Sequence, residues 1–390
     1  MTAGRRSAFS PALAGPDKRL AAFRVFFPAA AMSAIALVIV PAATALGAIP
    51  LAWWWHAREG MFGYGGAILA GFVLTAFPNW LGRRPPKTPV VLTLATFWLA
   101  GRAGLLLEAM GWSGAGLFDL GLPLGLLAFA TREVLAAGNR RNRKIVLLLA
   151  LYATGRIVAA AEPFPQMAPD SGTRLGAAAL VLLIMTICGR MIPVFTQDAL
   201  GAGNGPAPRH DGLDAIAILA GLAALPAWAF APQHVVTAGL LTIAGAFNLV
   251  RLCRWSGLRV WRQADLVFLH IGYGFIPLGL ALCAGAAFSG VVSPGAGLHA
   301  FTAGAMGVVS LAVMIRMIEG HIRAPRSASR VKAAILGFIA ISAGLRITHG
   351  IEGMPAALLA PAAMLWVAGF TLFLLAYGPI ILVRPHTRRE

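Results

Sequence analysis

The sequence predicts an all-α fold: a polytopic membrane helix bundle of about twelve transmembrane helices, with both termini in the cytoplasm. Three observations carry this. First, 58% of the 390 residues are hydrophobic and only 12% are charged, about half the charged share of a soluble domain. Mean hydropathy is +0.77. A soluble enzyme, a disordered chain and a secreted disulfide scaffold are thereby excluded. Second, apolar runs of the length that crosses a bilayer, about 20 residues, recur along the chain. They leave a basic tail at 1–24, a single membrane domain at 25–383 and a short tail at 384–390. Third, the basic residues sit on one side of those runs.

The expected spans follow in order. The first, 25–46, begins after a basic stretch and ends near Ala43-Thr44-Ala45. It is too long for the apolar core of a signal peptide and reads as an uncleaved helix. The second, 61–81, follows Trp53-Trp54-Trp55-His56 and contains the small-residue spacing Gly66–Ala70, which lets membrane helices approach closely. The third, 89–110, carries Arg102 and Glu108, and the fourth, 115–136, carries Asp119 near its start. The fifth (145–161) and sixth (173–196) hold Arg156 and Arg190. The seventh is 213–230 and the eighth 234–252, with Asp214 and Arg251 counted among the charges of the adjoining loops. The ninth, 264–289, holds His270. The tenth, 297–318, holds Arg316 and lies between His299 and His321. The eleventh, 331–349, carries Arg346 and ends on His349, and the twelfth is 356–383.

The net charge of +18 would suggest nucleic acid in a soluble protein. Here it marks orientation. The N-terminal tail, the loops after the even-numbered spans and the C-terminal tail together hold 25 of the 32 basic residues. The opposite loops hold Arg58 and Arg174, and five arginines lie within spans. Cytoplasmic loops carry the excess of Lys and Arg, so both termini are placed in the cytoplasm, with no nucleic-acid partner.

Ionisable residues inside a membrane are expensive and point to function. Arg102, Arg156 and Arg346 call for a buried anionic partner, such as a carboxylate or a haem propionate. Arg190 and Arg316, nearer helix ends, suit that role or a snorkelling one. Of the eight histidines, His210 and His386 fall in hydrophilic stretches and His234 at an interface. The others sort by depth: His56, His299 and His349 at the outer level, His270 and His321 at the inner. His299 and His321 stand about 33 Å apart at 1.5 Å per residue, so they cannot share one metal. Imidazole suits haem iron and copper, whereas Met306, Met314 and Met317 read as packing. The three cysteines, Cys188, Cys253 and Cys283, form no haem-attachment, zinc or disulfide pattern.

These segments resemble the NnrS family of membrane haem–copper proteins. The matching blocks are WHAREGMFGYGGAILAGFVLTAFPNW (55–80), NRRN (139–142), GRMIPVFTQDAL (189–200), LHIGYGFIPLGL (269–280) and LHAFTAGAMGVVSLAVMIRMIEGH (298–321). The resemblance implies haem b and copper, and a part in the response to nitric oxide and nitrosative stress in denitrifying and related bacteria, in the inner membrane. It makes His56, His270, His299 and His321 the candidate metal ligands, without saying which holds which metal. Candidate cofactor contacts are Arg58, Tyr64, Arg102, Arg156, Arg190, Arg316 and Arg346. The lipid bilayer is the expected surrounding, and nitric oxide or a product of nitrosative stress the expected ligand. One departure stands out. The second histidine of the family's H-x-H-E segment is Arg58 here, and Gly60 replaces a methionine. Arginine stays protonated and ligates no metal, though it suits a propionate. Two other readings therefore stay open: a transporter or channel for a small anionic solute, and a metal-poor paralogue acting as an assembly factor.

Overall fold

The computed structural model describes residues 19–162, 170–201, 211–321 and 330–382. The outlying charges Arg5, Arg6, Lys18, Arg209, Arg323, Arg326, Arg384, Arg388 and Arg389, with His210 and His386, lie outside these. The described residues form helices and no strand, and twelve helices are long and apolar enough to cross a membrane. They are α1 (Ala22–Ala45), α2 (Trp54–Leu81), α3 (Thr88–Ala109), α4 (Ala115–Ala136), α5 (Arg140–Ala161), α6 (Ser171–Leu200), α7 (Gly212–Phe230), α8 (Val235–Cys253), α9 (Ala264–Phe288), α10 (Pro294–His321), α11 (Arg330–His349) and α12 (Ala356–Leu382). The chain is a multi-pass membrane protein.

The number of spans matches the sequence reading, but several ends move outward. α2 starts at Trp54 rather than 61, and α10 runs 294–321 rather than 297–318. Hydropathy falls wherever polar residues begin, whereas a helix continues until its end groups are satisfied. Thus His56, expected just before the second span, lies inside α2, and His321 is the last residue of α10. Some of the ends are capped by side chains. Asn139 accepts from the Asn142 amide at 3.1 Å, Glu162 accepts from the Gly172 amide at 2.7 Å, and His234 accepts from the Val236 amide at 3.2 Å. The most enclosed spans are α2, α6 and α10. Two of these contain π-helical stretches, Glu59–Tyr64 in α2 and Ala300–Val308 in α10. Each follows directly on a short α-helical turn carrying a histidine, Trp54–Arg58 with His56 and Pro294–His299 with His299. Such widened turns recur at functional positions of helices.

The chain divides into two compact units. The first comprises Met1–Leu149, Met314–Ser327 and Phe370–Glu390, the second Ala150–Val313 and Ala328–Gly369. Within the second, α5 and α6 cross backbone to backbone: a Cβ on Gly155 would stand 2.6 Å from the Gly176 nitrogen. Small residues allow this approach, and dispersion there replaces the water-driven burial that lipid does not provide.

At the start of α7, Asp211 caps the helix and also receives the Arg254 guanidinium, Nη2 donating to Oδ2 at 2.5 Å. That donation holds the Asp211 carboxyl down to about 2, from its ordinary 3.8. The pair therefore contributes fully above the ordinary carboxylate range and is lost as pH falls through about 2. Asp211→Asn keeps the cap but not the charge. It is expected to melt slightly below the parent at neutral pH, and pH-dependent melting curves should show the gap closing as pH falls from about 4 to about 2.

Candidate functional site

In the first unit, polar residues from four spans meet beside the π-helical turn of α2. Arg102 of α3 forks between two carboxylates, with Nη1 donating to Glu59 of α2 and Nη2 to Asp119 of α4. The Ser33 hydroxyl of α1 donates to Glu59 Oε1 at 2.8 Å. The Trp98 indole donates to the Gly63 carbonyl at 2.9 Å and fixes the widened turn against α3. Two glycines make the cluster possible. A Cβ on Gly63 would fall on Glu59 and Arg102, and one on Gly101 would stand 2.6 Å from Asp119 Oδ1. Glu59 and Asp119 are buried, at 4% and 1% exposure. The anionic partners of Arg102 are thus protein carboxylates. Next to Glu59 in the chain, Arg58 is also buried. Its guanidinium lies 4.5 Å over the Trp54 ring and 3.8 Å from Glu108 Oε1. Tyr64 ends the π turn, buried edge-on to Phe370 at 5.6 Å.

In the second unit a different arginine organises a second polar network. Arg251 of α8 donates through Nε to Asp214 of α7 at 2.5 Å, and through Nη1 to the Met185 carbonyl of α6 at 2.8 Å and the Tyr273 hydroxyl of α9 at 2.9 Å. Tyr273 donates onward to Asn248 Oδ1 at 2.7 Å. Gly189 has no side chain because the guanidinium occupies that place. Sequence reading assigned Arg251 and Asp214 to loop charge. The structure corrects this: both lie inside helices and are buried. Their positions near matching ends of consecutive spans were the signal.

The four candidate metal histidines share one feature. Nδ1 of His56 faces the Leu37 carbonyl at 3.0 Å, and Nδ1 of His270, His299 and His321 faces the carbonyl four residues earlier, Leu266, Gly295 and Met317, at 2.8, 2.7 and 2.8 Å. A carbonyl only accepts, so Nδ1 carries the proton; in His56, His299 and His321 this leaves Nε2 the lone pair, whereas Nε2 of His270 faces the Thr196 hydroxyl, which already donates to the Ile192 carbonyl. His234 differs, its Nδ1 accepting from the Val236 amide. His56 and His321 belong to the first unit, His270 and His299 to the second. His56 is exposed, and His299 and His321 are half-buried. His270 is covered by Trp255 and Gly257, with Nε2 3.4 Å from the Thr196 hydroxyl. The Phe23 ring packs on His321 at 4.7 Å. Among the described residues no three His, Cys, Asp or Glu side chains converge as a metal group.

A family model described as NnrS protein matches residues 19–385. The chain belongs to the NnrS family. No curated protein and no solved structure matches it. The match covers both units, and so both polar networks and all four histidines belong to the NnrS region. Four candidate contacts of this NnrS chain remain. Arg156 on α5 and Arg316 on α10 are buried, Arg190 on α6 donates to the Thr186 carbonyl at 3.2 Å, and Arg346 on α11 is half-buried. Sequence reading did not anticipate Ser33 as a partner of Glu59, nor Asn248. A lone serine or asparagine in an apolar run carries no signal of what it faces.

Proposed function

We propose that this NnrS-family chain is a haem b- and copper-binding membrane protein of the nitric oxide and nitrosative-stress response. It would lie in a bacterial inner membrane with both termini cytoplasmic. The observation that carries the reading is the common tautomer of His56, His299 and His321. A metal-ligating histidine donates its second ring nitrogen to a carbonyl or carboxylate, which fixes the ring and raises the basicity of the ligating nitrogen. These three rings are held in that way by the main chain. The donor set fits haem, which takes one or two axial imidazoles. His56 or His299, each at the head of a π-helical stretch, would hold it, and His270 and His321 are the remaining candidates. Copper enters through the family association, since the described residues offer no three-donor group. When bound, haem iron supplies the site at which nitric oxide binds.

The chain's own residues supply the surroundings. Arg58 and Trp54, four residues apart, form a charged, aromatic contact on a different side of the helix from His56. Arg102 is engaged by Glu59 and Asp119 and so is committed to the helix contacts. Apolar nitric oxide reaches such a site from lipid without a polar channel. Purified protein is expected to show a Soret band that shifts on addition of nitric oxide and is lost or displaced in His56→Ala or His299→Ala. A colourless, metal-free preparation at full yield would overturn the reading.

A further inference from the structure

The short loop that joins α8 to α9, residues 254–263, has two unlike faces. Its inward face is packed. Trp255 lies edge-on to Tyr273 at 4.5 Å, and the His270 ring stands 2.6 Å from where a Cβ on Gly257 would be. Val260 is buried as well. Ser256, at a left-handed φ of 55°, turns the chain into the tight helix Gly257–Val260. These contacts fix which side of the loop points out. The outward face carries Leu258, Arg259, Trp261 and Arg262, all exposed.

That face joins two chemistries. Leu258 is 94% exposed and Trp261 69%, an apolar surface that water opposes. Arg259 lies between them in the chain, and the Arg262 guanidinium stands 5.1 Å from the centre of the Trp261 ring. The carboxylates at this end of α7 and α9 are engaged or covered: Asp211 pairs with Arg254, Asp214 pairs with Arg251, and Asp265 is buried in the first turn of α9. The loop links the ends of two membrane spans and is too short to rise far from them, so its outward face sits at the level of the lipid headgroups. Tryptophan favours that level. Guanidinium forks onto phosphate oxygens, and basic segments beside a span are drawn to anionic lipid.

We propose that Leu258, Arg259, Trp261 and Arg262 form a docking site for an anionic phospholipid. Arg259 and Arg262 hold its phosphate, and Leu258 and Trp261 rest on its glycerol and upper acyl region. Lipid is favoured over a protein partner because the face is continuous with two lipid-embedded spans. The bound lipid fastens from outside the same loop that covers His270 from inside. The site lies wholly within the second unit and is independent of any haem or copper.

Native mass spectrometry of the full-length protein in detergent, titrated with phosphatidylglycerol or phosphatidylcholine, tests this. The parent should bind its first phosphatidylglycerol roughly 10- to 30-fold more tightly than phosphatidylcholine, the gain expected from two arginines beside anionic lipid. Arg259→Gln, Arg262→Gln together should bring that ratio to within about twofold. Arg140→Gln, Arg141→Gln removes the same charge from the exposed turn at the start of α5 and should leave the ratio unchanged. Leu258→Ser, Trp261→Ala keeps both arginines and should still weaken phosphatidylglycerol binding. Circular dichroism and melting confirm that each variant is folded. Equal binding of the two lipids by the parent, an unchanged ratio in the folded Arg259, Arg262 variant, or an equal fall in the Arg140, Arg141 variant overturns the proposal. Full competition by inorganic phosphate overturns it too, marking a site for a free anion. So does a parent dimer that the Arg259, Arg262 variant splits, marking this face as a contact between copies.

Discussion

Arg251→Ala is expected to destabilise the second unit by about 3–5 kcal/mol, the range for removing one partner of a buried ion pair. The side chain is 1% exposed and joins four spans through Asp214, the Met185 carbonyl, Tyr273 and, beyond it, Asn248. Its loss strips the Asp214 carboxylate of its cation and leaves a cavity beside Gly189. Arg251→Lys should rescue only part, because an ammonium is a point donor and cannot serve three directions with a planar fork. The double variant Arg251→Met, Asp214→Leu should recover most of the loss, since replacing both partners removes the buried charge altogether. Thermal melting of the four proteins in one detergent gives the comparison. A single Arg251→Ala variant as stable as the parent, or a double variant no better than the single, would show that the network is not what ties these spans together.

This network also shows where sequence reading stops. The twelve spans were legible because crossing a bilayer demands a long apolar run, and length and composition are local properties. The charge on the loops was legible for the same reason. Pairing is not local. Asp214 and Arg251 each look like a residue at the margin of a span, and margin residues are normally solvated. Only their contact across 37 positions turns two loop charges into a buried pair. Arg102 was recognisable as a buried cation needing an anion, but nothing along the chain distinguished Glu59 and Asp119 from a propionate. The π-helical turns were equally hidden, because glycine after His56 and after His299 suits tight packing in any helix. The histidines were found by residue type and depth, whereas the carbonyl that fixes each ring is a main-chain group, which every residue possesses.

Arg102→Ala is the second large effect, again about 3–5 kcal/mol, and it separates structure from chemistry at the candidate site. Removing the guanidinium leaves Glu59 and Asp119 buried with the cation between them gone. The variant leaves two buried carboxyls without their cation and can neutralise them only by binding protons, so its loss of stability should shrink as pH is lowered. The triple variant Arg102→Ala, Glu59→Gln, Asp119→Asn carries no charge at the cluster, and its amides can bond across the space the guanidinium left. It should therefore melt well above the single variant and show little dependence on pH between neutral and mildly acid conditions. Haem content measured on the same proteins adds a second readout. Arg102 is bound to carboxylates of its own chain, so the triple variant should retain the Soret band that His56→Ala loses. A triple variant that is stable yet colourless would instead make Arg102 a cofactor contact in its own right, and an Arg102→Ala protein as stable as the parent at neutral pH would remove the cluster from the forces that hold α1 to α4 together.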